Sequence, residues 1–156
     1  MKYIHAIIRY ILDLLLPQSA LDRALSSVTK ETLSEKIVTD KRNVAPFVIV
    51  LFDYQDELIK KMLWAFKYKK NPSVRRLFAE VLCDYLLEEL SDRETFYDFT
   101  HTLLVPIPLS KKRLRERGYN QTELLARELS AVNPTFSEFR VDILVRNKHT
   151  PSQTSL

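Results

Sequence analysis

The chain has 156 residues, 46% of them hydrophobic, enough to bury a core, with 24 Lys and Arg against 20 Asp and Glu for a net charge of +4. A single glycine, Gly118, excludes the glycine-rich phosphate loops of Walker or dinucleotide-binding type within it. A single cysteine, Cys83, excludes an internal disulfide and a cysteine zinc site, and the three histidines have no ligand-like spacing, so no metal site is expected.

The N-terminal MKYIHAIIRYILDLLLP predicts a helix from about residue 3 to 16, stopped by Pro17, with Ile4, Ile7, Ile8, Ile11, Leu12 and Leu15 on one stripe. Lys2, His5, Arg9 and Asp13 interrupt it, so no run reaches the ~20 apolar residues of a spanning helix. No small-residue cleavage site follows, and the expected location is the cytoplasm. The stripe suits packing on its own domain, on a partner or on a membrane surface. Residues 18–43 are polar, with weak helical spacing at Leu21, Leu25, Val28, Leu33 and Ile37.

Pro46 opens the run Phe47 to Phe52, which reads as a buried strand. A strong helix is predicted over 55–68, burying Leu58, Ile59, Met62, Leu63 and Phe66. Asn71-Pro72 interrupts the chain, and a second helix spans 73–90, with Leu77, Val81, Cys83, Leu86, Leu87 and Leu90 apolar. Cys83 is most simply a small buried side chain. A strand at 101–107 is ended by Pro106 and Pro108. A basic loop follows, then a helix over 120–132 with Asn120 as N-cap and Glu123 in capping-box position. A last strand is predicted over 141–145, before a polar tail.

Strands alternating with helices indicate an α/β fold with parallel pairing, divided as an N-terminal helical segment, 1–45, and a domain over 46–156. Three strands make a thin sheet, whose open edge would suit a second copy or a partner chain.

The basic segment is the most informative part. Between Ser110 and Gln121, Lys111, Lys112, Arg113, Arg115 and Arg117 stand against Glu116 alone, which accounts for the whole net charge. It follows a strand end and precedes a helix N-terminus, a place that suits phosphate. Arg113 and Arg117 supply forked donors, and Gly118 permits a tight turn. The same charges also fit a solvated loop, or a nucleic-acid patch with Tyr119 for stacking. Lys60, Lys61, Lys67, Lys69, Lys70, Arg75 and Arg76 form a second basic region that would extend such a patch to single-stranded DNA.

VPIPL followed by KRLRERGYNQTELLARELS resembles the signature of the ComF family of competence-associated, phosphoribosyltransferase-like proteins. Tyr54 with the helix ending AFKYKKN resembles the family's helix with a Lys-Tyr pair, here Lys67 and Tyr68. Arg146 and the run Thr150 to Leu156 are similar to its Arg…Thr-Pro-x-Gln-x-x-Leu segment, and ILDLLLP to its opening helix. Many members carry a four-cysteine zinc module after that helix; residues 17–45 hold no cysteine, so zinc is not carried over.

The resemblance implies an incomplete type I phosphoribosyltransferase-like (Rossmann-like) parallel sheet with flanking helices. It implies a phosphorylated small-molecule ligand met by Lys112, Arg113, Arg115, Arg117, Gly118, Asn120 and Gln121, with Lys67, Arg146 and Gln153 in support. Mg²⁺ would enter with phosphoribosyl pyrophosphate, not on protein ligands. In the family, chain beyond the Gln-x-x-Leu segment carries the loop that grips ribose and 5-phosphate. This sequence stops at Leu156 before it, which implies little or no transfer activity from these residues alone.

Overall fold

Each helix that carries the core has its own start signal. The structure, a computed structural model, describes residues 24–38, 48–94, 102–135 and 137–147. The predicted helix over 3–16, and Gln153 with the rest of the Thr150 to Leu156 run, lie outside them. Helix α1, Lys30–Ser34, is capped by Thr29, whose hydroxyl accepts from the Thr32 amide. Helix α2, Glu57–Tyr68, starts at Asp56, whose carboxylate accepts from the amides of Leu58 and Ile59. Helix α3, Pro72–Glu94, has Asn71 accepting from the Val74 amide and proline at its first position. The Asn-Pro pair thus begins this helix as well as ending the previous turn.

Of the predicted inner face of α2, Ile59, Met62 and Phe66 are buried, with Ala65 added to them, while Leu58 and Leu63 are half-buried. The α3 helix lies between two apolar clusters. On one side Val74, Phe78 and Val81 join Leu25, Leu33 and the α2 residues; on the other Ala79 and Cys83 meet Leu129. Cys83 is 2% exposed, and burial pushes its thiol up, as suits a packing residue. Leu87, one of the apolar positions of this helix, is exposed.

Strand β1, Leu103–Leu104, is followed by helix α4, Lys111–Arg117, helix α5, Gln121–Val132, and strand β2, Glu138–Phe139. The strands pair in parallel, Leu103 with Glu138 and Leu104 with Phe139. A helical crossover joining parallel strands is the α/β arrangement expected.

Three expectations are corrected among the described residues. Residues 48–52, the described part of the run read as a strand, do not join this sheet: Phe52 makes an isolated antiparallel bridge to Ile37, and the Val38 amide donates to the Leu51 carbonyl. Val48, Ile49 and Val50 are exposed, while Phe52 packs against the core, where its ring meets Phe78. The last strand forms at Glu138–Phe139, and residues 141–147 are exposed and irregular, because ladder bonding follows the available partner strand and not local apolarity. The basic loop is a helix, as follows from its caps.

Candidate anion site at a basic helix

The α4 helix has no buried face, so apolar periodicity could not announce it. Its ends hold it. The Ser110 hydroxyl, 6% exposed, accepts from the Arg113 amide at 3.4 Å, and Gly118 closes the other end in the left-handed region at φ 73. A Cβ added at Gly118 would meet nothing within 4 Å. Gly118→Ala therefore carries only the backbone penalty, an expected loss of about 1–2 kcal/mol, with Gly118→Asn losing less. Urea unfolding of the two variants checks this; equal losses would contradict it.

Helical winding changes the relation of the basic residues. Arg113 and Arg117 are four apart and share a face, both half-buried, whereas Lys112 and Arg115 are exposed. Like charges at this spacing destabilise a helix by about 0.2–0.5 kcal/mol per pair. No ion pair among the described residues relieves Lys112, Arg113 or Arg115, although acids pair many other bases: Arg75 with Glu128 at 2.8 Å, Arg76 with Glu80 at 2.6 Å, Arg127 with Glu123 at 2.9 Å. Arg75 and Arg76, counted in the second basic region, are thus engaged on acids.

The segment Arg117-Gly118-Tyr119-Asn120-Gln121 forms a clasp. The Arg117 guanidinium donates to Gln121 Oε1 at 3.0 Å and lies 5.7 Å from the Tyr68 ring centre. The Tyr119 hydroxyl donates toward the carbonyls at the end of α2, Lys67 at 2.5 Å and Phe66 at 3.3 Å. Burial pushes the Tyr119 phenol above its ordinary value, so it remains a donor at neutral pH. Lys70, itself left-handed at φ 51, holds its ammonium 4.4 Å from the centre of the Tyr119 ring. Tyr119, the stacking residue of the nucleic-acid alternative, has its ring under Lys70 and its hydroxyl bound.

Asn120 closes the clasp on the strand side. Its Nδ2 donates to the Ile107 carbonyl at 3.1 Å, its Oδ1 accepts from the Thr122 amide at 3.2 Å, and the Thr122 hydroxyl also donates to Ile107 O at 2.7 Å. The expected return bond from Glu123 is replaced by an ion pair to Arg127. Arg146 stands exposed in the irregular segment after β2.

The structure therefore brings Lys67, Arg117, Gly118, Asn120 and Gln121 together, with Arg113 on the Arg117 face and Lys70 alongside. Sequence reasoning missed Thr122 and the carbonyl-binding role of Tyr119. Among the described residues no group of three His, Cys, Asp or Glu is placed to hold a metal ion. No helix among them is long and apolar enough to cross a membrane.

The chain is similar to the competence protein ComFC of Bacillus subtilis (strain 168), 37% identical over 76 residues. The match covers 49% of this chain and 28% of that relative, so the chain spans well under two thirds of it. The similarity supports the ComF resemblance read from the VPIPL and RGYNQ segments. No protein-family model matches the chain. No solved structure matches it.

Proposed function

We propose, from this similarity to the ComF family, that the chain belongs to a competence-related, phosphoribosyltransferase-like protein and binds phosphate or pyrophosphate on the Arg113 and Arg117 face of α4. The supporting observation is the fixed Arg117, held between Gln121 and the Tyr68 ring, on a short helix whose other cations have no acidic partner among the described residues. A guanidinium whose direction is set by a hydrogen bond and a ring loses little freedom when it takes up an oxyanion. The reaction class is glycosyl transfer from phosphoribosyl pyrophosphate. Mg²⁺ would be held by the ligand's own oxygens, since α4 offers only Glu116 as an acid. The positive helix would lower the charge on the leaving pyrophosphate.

Titration calorimetry with Mg²⁺-pyrophosphate tests the reading. Wild type binds, and Arg113→Ala and Arg117→Ala each weaken binding about tenfold, as expected for one charged hydrogen-bonding group. Absence of heat, or unchanged affinity in both variants, sinks it.

A second reading, non-enzymatic handling of single-stranded DNA, is favoured by the meeting of the two basic regions at Tyr119. Its signature is affinity that falls steeply with salt.

A further inference from the structure

The outer face of α2 carries a cleft that borders the clasp, sharing with it the Tyr68 ring and Lys67. It measures about 370 Å³ and is lined by Tyr54, Lys60, Lys61, Trp64, Lys67 and Tyr68, over Leu63. Three large aromatic side chains are left in water there: Tyr54 is 57% exposed, Trp64 47% and Tyr68 57%. Single exposed aromatics are ordinary, but three around one cleft are a surface awaiting a flat apolar partner. The Trp64 and Tyr68 rings, one turn apart, have centres 5.9 Å apart and are tilted by 46°, so they form a wall and not a closed stack.

The charges decide what kind of partner fits. No acid among the described residues lines the cleft. Lys60 is paired with Glu57 at 2.9 Å, while Lys61 and Lys67 have no acidic partner among the described residues. Further cations stand at the rim, Lys69 at 5.6 Å from the Trp64 ring centre and Arg117 at 5.7 Å from that of Tyr68. A cationic ligand would be repelled, and a purely apolar one would gain nothing from the lysines. A flat ring bearing phosphate satisfies both sets of residues, and the volume lies at the small end of ligand pockets.

We propose that this cleft binds a nucleotide unit, its base stacked against Trp64 and Tyr68 and its phosphate on Lys61 and Lys67. The unit comes from a free mononucleotide or from a single strand. The cleft shares Tyr68 and Lys67 with the α4 site, but the pyrophosphate reading of α4 places no base, and Tyr54, Lys61 and Trp64 belong to the cleft alone.

Trp64 is the one tryptophan of the chain, so its fluorescence reports the cleft directly. The chain is titrated with dAMP, with a thymidylate decamer and with ribose 5-phosphate, which carries phosphate without a base. Quenching by dAMP identifies a free-nucleotide site; quenching by the decamer alone identifies a strand site; either supports the proposal. Tyr68→Ala and Tyr54→Ala, both at exposed positions, are expected to weaken the quenching ligand about tenfold, within the range of one base–aromatic stack. Anisotropy of a labelled decamer with Trp64→Leu gives a second readout, with the same direction expected. Equal quenching by ribose 5-phosphate, no quenching by either nucleotide, decamer binding that leaves Trp64 unchanged, or wild-type affinity in both tyrosine variants would overturn it. Loss of pyrophosphate binding in Arg113→Ala has no bearing on these outcomes, and because Tyr68 also meets Arg117, Tyr54→Ala is the variant that separates the cleft from the α4 site.

Discussion

Phe78→Ala is expected to destabilise the chain by about 3–5 kcal/mol, the usual loss for a buried phenylalanine. Phe78 is 6% exposed, and its ring centre lies 5.8 Å from that of Phe52 and 5.9 Å from that of Phe66, the latter edge-on. It therefore joins three pieces distant in sequence: the run after Pro46, α2 and α3. Truncation would leave a cavity among Phe52, Phe66 and Ile59-side residues that the helices, pinned by their caps, are poorly able to close. Against a total stability of about 5–15 kcal/mol, that loss is a large fraction. Phe78→Leu refills most of the volume and forfeits mainly the ring contacts, an expected loss of about 1–2 kcal/mol. Urea unfolding followed by far-ultraviolet circular dichroism separates the two. A Phe78→Ala chain within ~1 kcal/mol of wild type would mean that this core does not hold α2 against α3.

The long helices were legible because each bears two independent signals. For α2 these are the inward spacing of Ile59, Met62 and Phe66 and the capping Asp56; for α5, the Asn120 cap and the apolar residues up to Val132. The α4 helix had only one. Its Leu114 is a lone apolar residue and is 44% exposed, so no periodicity marks it; the Ser110 and Gly118 caps were the signal available. Strand placement was harder still. Val141 to Val145 reads as a strand from composition, yet the ladder uses Glu138 and Phe139, since pairing depends on where β1 lies after the α4–α5 crossover.

The site was legible as charge but not as geometry. Five bases and a glycine are visible in a string of letters. That Arg117 would rest on Tyr68, some fifty positions earlier, depends on Tyr119 finding the carbonyls at the end of α2. The aromatic cleft had a faint sequence signal, since Tyr54, Trp64 and Tyr68 alternate with lysines, but the helical stripe of α2 drew the reading to its buried side. The outer side is where the chemistry-bearing residues stand.

Asn120→Ala is expected to cost about 2 kcal/mol, and its partner variants decide what Asn120 does. The side chain makes two kinds of contact: its oxygen caps α5 through the Thr122 amide, and its amide nitrogen holds the Ile107 carbonyl. Losing a cap costs about 0.5–2 kcal/mol and losing one ordinary hydrogen bond about 1 kcal/mol. The Thr122 hydroxyl still donates to Ile107 O at 2.7 Å, so the carbonyl keeps one partner and the loss stays moderate. Asn120→Asp keeps the capping oxygen, and its charge suits a helix N-terminus, but it turns a carboxylate toward the carbonyl. Asp is therefore expected to recover α5 stability while leaving the strand-end segment loosened, seen as faster amide exchange in the residues around Ile107. A residue that merely contacted a bound anion would behave differently: Asn120→Ala would lower pyrophosphate affinity with stability intact. A double-mutant cycle with Thr122→Val completes the argument, because two side chains that share one carbonyl should couple by about 0.5 kcal/mol or more. Strict additivity, with unchanged stability in Asn120→Ala, would assign Asn120 to the ligand and leave the clasp to Tyr119 alone.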